Sequence, residues 1–258
     1  IQNNLADLDL EKELQPFGVI DAVVHAAYLI RTPYFKKGLT FHHHSNFEGA
    51  ENAFKFSLRN NVKKLIHFSS VAVYGANPKN SLTHPFKEKE ELKEETIRYG
   101  RDKKTIERNL NELFSRYKAQ TEVFVLRIGS VAGPFGRFVK KGGLQGFFRG
   151  LLPFVPIVSD QSVRQFIHED DVTNIIERLA FGEKAGAYEV FNICPPGEVV
   201  YGADMARLVG KRQLRVAPWM VRIPFFIFWH VTRGKIPTGR GAWKSYSYPI
   251  AVDGSKVT

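Results

Sequence analysis

Tyr99 and Lys103 stand four residues apart in the run Tyr99-Gly-Arg-Asp-Lys103, a spacing that puts both on one helical face. An ammonium beside a phenol favours the phenolate and lowers the tyrosine pKa from its usual value of about 10. A tyrosine so tuned can take the proton of a substrate hydroxyl as a hydride leaves the same carbon. Upstream lies Phe68-Ser69-Ser70-Val71-Ala72-Val73-Tyr74-Gly75, read as a strand that ends in a turn. Ligand-binding groups of an open α/β sheet lie outside the carboxyl ends of its strands, so a hydroxyl at Ser70 would meet the same substrate oxygen. Taken singly, each motif has a plain alternative: a surface tyrosine over a lysine stem, and a strand-end turn satisfied by its own serines.

Short apolar runs that end in small or polar residues predict buried parallel strands at Ala22–His25, Leu65–Ser69, Val123–Arg127 and Glu189–Ile193. Helical patterns fall between them at Asn46–Asn60, Tyr99–Tyr117 and Asp170–Phe181, with Asp170 as a cap for the last. Strands alternating with helices of this length argue for βαβ units, hence an α/β fold with a Rossmann-like, doubly wound parallel sheet. After Pro134 glycine and phenylalanine become frequent and the alternation breaks down. The expected organisation is a sheet domain over residues 1–134, joined by returning segments at about 164–193. A smaller, carboxyl-terminal substrate lobe takes 135–163 and 194–258.

The run LIHFSSVAVYG followed by YGRDK resembles the strand and catalytic helix of extended short-chain dehydrogenases, the NAD-dependent epimerase/dehydratase family. Asp21-Ala-Val-Val-His25-Ala26-Ala27 is similar to the family's fourth strand, and Asn46 with Gly49 to its Asn-x-x-Gly helix start. Leu126-Arg127 through Gly133-Pro134 resembles the LRxxxVxGP strand and turn. Arg164-Gln-Phe-Ile-His168-Glu-Asp-Asp171-Val172 resembles the RxFxHxxDV segment, and Asp253-Gly-Ser-Lys256 a stretch near the carboxyl end. The resemblance implies Ser70, Tyr99 and Lys103 as a catalytic trio. It also implies cofactor contacts at Asp7, Leu8, Ala26, Ala27, Asn46, Tyr99 and Lys103, with Lys103 on the nicotinamide ribose. NAD is the implied cofactor, NADP remaining open. Ser70, Ser130 and Arg164 are the implied substrate contacts, the guanidinium fork of Arg164 suiting a diphosphate. A homodimer through the helices at 46–60 and 99–117 is implied by analogy.

Two departures stand out. The family's GxxGxxG turn, which holds a pyrophosphate on helix-terminal amides, does not precede Asp7; Gly143-Leu-Gln-Gly146 with Gly150 follows no strand. In a doubly wound sheet the missing first strand would lie beside Ala22–His25, and its loss would leave unpaired backbone groups at about 1–3 kcal/mol each. The expectation is that preceding residues or another chain supply that strand, and that residues 1–258 alone do not fold stably. In Arg127-Ile-Gly-Ser130-Val-Ala132, Ser130 is shorter than the asparagine usual in nucleotide-sugar enzymes.

Three functions therefore remain open. The first is an epimerase, dehydratase or oxidoreductase acting on a nucleotide sugar. The second is a 3β-hydroxysteroid-dehydrogenase-like oxidation of a lipophilic alcohol, which Ser130, Ala132 and the apolar Trp219–Trp229 stretch would suit. The third is a non-catalytic NAD(P)-binding regulator, against which the intact Ser70, Tyr99, Lys103 set argues.

The net charge of +11 comes from lysine pairs scattered over different elements (Lys36-Lys37, Lys63-Lys64, Lys103-Lys104, Lys140-Lys141), which reads as a solvated basic surface and not a nucleic-acid stripe. One cysteine, Cys194, excludes an intramolecular disulfide and reads as a small buried residue. With no signal-like start, a cytoplasmic protein is expected. His42-His43-His44 lacks an accompanying carboxylate or cysteine cluster and reads as a loop or helix start, and no metal site is expected. His168, Glu169, Asp170 and Asp171 read as helix-capping residues. The apolar run Val216–Val231 is interrupted by Pro218, Arg222 and Pro224 and is too short to span a bilayer. It is expected as a helical cover with Trp219, Phe225 and Phe228 turned inward.

Overall fold

The computed structural model describes residues 3–133, 153–159, 163–183, 186–195 and 199–257. Gly143, Gly146, Gly150 and the Lys140-Lys141 pair lie outside the described residues.

Four parallel strands form the main sheet in the order β1 (Ala22–His25), β2 (Lys64–Ser70), β3 (Glu122–Ile128) and β8 (Tyr188–Ile193). Leu65 sits opposite Val23 on one side and Val123 on the other, while Val123 faces Tyr188. All seven residues of β3 are buried, as near-continuous apolar strands between two helical layers must be. The two-residue period of a strand then assigns each side chain to a layer. Leu65, Val123 and Val125 pack with Ala50, Phe54 and Leu58 of α2 (Lys36–Arg59) and with Ile106, Leu110 and Leu113 of α3 (Arg98–Tyr117). Their neighbours Ile66, Phe124 and Leu126 turn the other way, onto Val172, Ile175 and Leu179 of α4 (Glu169–Phe181). Each fully buried Leu, Ile or Phe contributes about 1.5–3 kcal/mol. The parallel, Rossmann-like sheet with helices on both faces agrees with the sequence.

Boundaries moved at two places. The helix expected from Asn46 begins at Lys36, so Asn46 and the three histidines lie inside α2. Residues 36–45 carry glycine and histidine where an apolar stripe would normally announce a helix. Gly38 lets the first turn close on Pro33, since a Cβ there would sit 2.7 Å from Pro33 Cβ. At α4, His168 and not Asp170 is the cap, its Nδ1 accepting the Asp170 amide at 3.2 Å. Glu169, Asp170 and Asp171 occupy the first turn, where carboxylates complement the helix dipole.

Beyond β3 lie three two-stranded sheets outside the main one: β4 (Ser130–Ala132) with β7 (Phe166–His168), β5 (Phe154–Ile157) with β10 (Arg212–Arg215), and β6 (Val163–Arg164) with β9 (Val200–Tyr201). Helices α5 (Gly202–Leu208), α6 (Pro218–Val231) and α7 (Ala242–Ser247) follow; α1 is the short Leu10–Leu14 near the amino end. In α6, Phe225 is buried and Phe228 half-buried, but Trp219 is 62% exposed. The inward placement expected for Trp219 fails because the helix is apolar around its circumference, and apolarity alone does not choose a face. Among the described residues no helix is long and apolar enough to cross a membrane.

The carboxyl-terminal segment returns to the loop before α3. The Phe86 amide donates to the Ala251 carbonyl and the Asp253 amide to the Phe86 carbonyl, both at 2.9 Å. Asn80 pairs both its amide atoms with the Ala251 backbone at 2.5 and 3.0 Å. Gln165 pairs in the same way with Val252 at 2.8 and 2.9 Å.

Candidate active site

Ser70 ends β2 and caps the 3-10 turn Val71–Tyr74, its Oγ accepting the Ala72 amide at 3.2 Å. Helix α3 starts nearby with an entry shaped by Glu94, whose buried carboxylate accepts the amides of Thr96 and Ile97 at 2.6 and 2.8 Å. Tyr99 and Gly100 form its first turn. A Cβ on Gly100 would lie 2.4 Å from the Ala72 carbonyl oxygen and 2.8 Å from Glu94 Cγ, so the absent side chain is what lets α3 close onto the turn. That approach sets the first turn of α3, with Tyr99, against the turn that Ser70 caps.

Electrostatics at the pair differ from the sequence expectation. Burial pushes the Tyr99 phenol above its ordinary value, with the Ser70 contact opposing. Lys103 does not provide the expected lowering. Its Nζ donates to the Phe68 carbonyl at 2.6 Å and sits 4.5 Å from the centre of the Tyr28 ring. Burial lowers Lys103 itself to about 8, against the attraction of Glu107. The resting site therefore holds a neutral phenol beside a desolvated ammonium, with only 3% of Lys103 exposed.

Tyr28, which no sequence signal marked, joins the group. Its ring stands edge-on to Tyr99 at 5.4 Å, and its hydroxyl donates to the buried Asp102 at 3.3 Å. It follows Ala26 and Ala27, both exposed at the carboxyl end of β1. The loop is held by Asn46, whose side chain accepts the Leu29 amide at 2.7 Å and donates to the Leu29 carbonyl at 3.3 Å. Asp7 closes the 3-10 turn Leu5–Asp7 that packs on α2 and pairs with His44 Nε2 at 2.7 Å; Leu8 follows it half-buried. The three histidines have separate contacts: His42 buried beside Asn46 and Tyr28, His43 on Phe47, His44 on Asp7. Among the described residues no cluster suited to a metal occurs.

Ser130 and Arg164 lie on strands outside the main sheet. Ser130 is exposed on β4, its amide donating to Gln165. Arg164 turns its fork onto α7, Nη2 donating to the carbonyls of Ser245 and Tyr246 at 2.6 and 2.9 Å. The carbonyls at the end of a helix have no partners within it, and Arg164 satisfies two of them.

Beneath the site, Arg127 Nη2 and Nε donate to Glu107 at 2.9 to 3.2 Å, and Nη1 donates to Tyr74 at 2.8 Å. Ser69 also donates to Glu107. The network locks β2, β3 and α3 together and so fixes the residues above it. A second buried pair, His25 and His67, brings the two Nδ1 atoms to 3.0 Å on adjacent strands.

Ala26 and Ala27 are exposed at the end of β1, and the Tyr28 ring that follows them meets Tyr99 and Lys103.

Comparison with protein families matches residues 2–194 to the NAD dependent epimerase/dehydratase family. No curated protein matches the chain. Among solved structures, MoeE5 in complex with UDP-glucuronic acid and NAD superposes with a TM-score of 0.69 at 20% identity, over 100% of this chain and 77% of that one. UDP-glucose 4-epimerase of Thermotoga maritima, with UDP-glucose, gives 0.68 at 19% identity, over 99% and 75%. WbmG of Bordetella bronchiseptica, with NAD, gives 0.67 at 22%, over 99% and 70%. At these identities the likeness is one of fold.

Proposed function

Since the chain belongs to the NAD-dependent epimerase/dehydratase family, we propose that it moves hydride to and from a carbinol carbon of a nucleotide-linked sugar, with Ser70, Tyr99 and Lys103 around the reacting oxygen. The observation that carries this reading is the close passage of Gly100 over Ala72, which sets the first turn of α3, with Tyr99, against the turn that Ser70 caps. Bound NAD would supply the hydride acceptor; Ala26, Ala27, Asn46, Tyr99 and Lys103 would hold it, with Asp7 and Leu8 toward the adenine. Ser70 holds the substrate oxygen. Tyr99, neutral at rest, is the form that returns a proton to a carbonyl oxygen as hydride arrives; in the opposite direction it must first lose that proton. Lys103 places a cation beside the oxygen where negative charge develops.

Residues 135–163 and 194–258 would form the substrate lobe, and α2 and α3 the contact of a homodimer. MoeE5 and the Thermotoga epimerase, bound to UDP-sugars, favour a nucleotide sugar here. A lipophilic alcohol is the second reading, favoured by the short Ser130 and by Arg164 being tied to α7. Calorimetric titration with UDP and with a 3β-hydroxysteroid separates the two. Micromolar UDP binding supports the first; sterol binding without UDP binding replaces it with the second.

A further inference from the structure

We propose that α6 lays its outer face on an anionic lipid surface, holding the protein at a membrane interface without crossing it. Among the described residues the helix is fastened along one side. Val221 and Phe225 are buried, Phe225 meets Tyr246 at 5.7 Å between ring centres, and Arg222 lies over Trp243. At its far end Tyr34 packs on Trp229 and its hydroxyl meets His230 at 3.0 Å.

The other side carries Trp219, Met220, Ile223, Phe226, Ile227 and Val231, all between 43% and 75% exposed. Trp219, Ile223, Phe226 and His230 follow the three-and-four spacing of one helical stripe, with the rest beside it. Among the described residues nothing covers this continuous apolar stripe, and such a stripe is costly in water. Phe35, next to Tyr34 and 62% exposed, extends it, with Lys36 and Lys37 following.

Charge selects the occupant. Between Asp204 and Asp253 there is no acidic residue, while nine lysines and arginines occur there. Arg212 and Arg215 on β10, and Arg233 and Lys235 just past the helix, are exposed at its two ends. An apolar face bordered by cations, with tryptophan and phenylalanine in it, is what settles at the boundary between acyl chains and anionic headgroups. At 14 residues α6 is about 21 Å long, shorter than the roughly 30 Å hydrocarbon core, and Pro224 interrupts its amide ladder. It lies on a bilayer instead of entering one.

Vesicle co-sedimentation of the full-length protein tests this. Vesicles of phosphatidylcholine with phosphatidylglycerol should bind at least about tenfold more tightly than phosphatidylcholine alone, and raised salt or carbonate should release the protein. Brominated acyl chains should quench its fluorescence, and Trp219→Phe should remove most of that quenching. The pair Ile223→Asp and Phe226→Asp should cost at least about tenfold in vesicle binding while leaving the thermal transition in place. Should that pair fail to fold, the exposed Arg212→Gln with Arg233→Gln reads the electrostatic part alone. Equal binding to neutral vesicles, no binding to either, or a dimer in solution that the aspartate pair dissociates would each overturn the proposal; the last would assign the face to a second copy of the chain.

Discussion

Lys103 Nζ donates to the main-chain carbonyl of Phe68, so the ammonium is anchored to the end of β2 and not to the Tyr99 hydroxyl four residues before it. The strand that presents Ser70 also orients the lysine. A helix periodicity places Tyr99 and Lys103 on one face, but which acceptor the lysine finds is decided by the strand beneath and by the Tyr28 ring over which it lies.

Tyr99→Phe should lower turnover by about two to four orders of magnitude, the scale of a lost general acid or base, while leaving NAD binding measurable by fluorescence. Near-normal turnover would remove Tyr99 from the reaction.

Gly100→Ala should destabilise the protein by about 1–3 kcal/mol, as overpacking does, because the new methyl meets the rigid Ala72 carbonyl. Urea unfolding would measure it. Arg108→Ala, exposed further along α3, should change stability by less than about 0.5 kcal/mol.

The His25–His67 pair makes stability pH-dependent. Burial lowers His25 to about 4 and takes His67 well below its usual value, with neighbouring cationic groups adding to the effect. The unfolded chain takes up these protons near pH 6.5 and the folded chain does not, so stability present at neutral pH is lost as pH falls from about 6.5 toward 4. His25 alone accounts for about 3 kcal/mol over that range. Denaturation midpoints measured from pH 7 to 5 should fall, and His67→Phe should flatten the slope. An unchanged slope in that variant would place the acid sensitivity elsewhere.

Cys194 is buried, with its thiol pushed up to about 12 by desolvation, so the reactive thiolate is scarce at ordinary pH. At pH 8 a thiol reagent should label the native protein only as fast as it opens, and the denatured protein within seconds to minutes. Rapid native labelling would show the burial to be wrong.

The strands were legible because each is an apolar run with polar ends; all four observed in the main sheet begin and end within a residue of expectation. Helix α3 was equally plain. The start of α2 was not, since Gly38 and three histidines hide a helix that Pro33 packing supports. Tyr28 and Gly100 escaped notice for a related reason: a tyrosine after a strand and a glycine in a helix have meaning only once the neighbouring chain is in place. Arg164 suits a diphosphate by residue type, and only the folded chain shows that its Nη2 also bonds the Ser245 and Tyr246 carbonyls at the end of α7.

The clasp between residues 80–86 and 251–253 has a consequence for how the molecule is made. Asn80 and Ala251 are 171 positions apart, and they fix the loop leading into the helix that bears Tyr99. Synthesis on the ribosome runs from the amino end at about 5–20 residues per second. The β2 strand and α3 can thus emerge and pack early, and Lys87 and Glu88 can tie to Tyr74 and Arg127 soon after, but the bonds of Asn80 and of the Phe86 amide wait until the segment around Val252 leaves the exit tunnel. A nascent chain stalled before that point should have its strands protected and the stretch around Asn80 open to proteases.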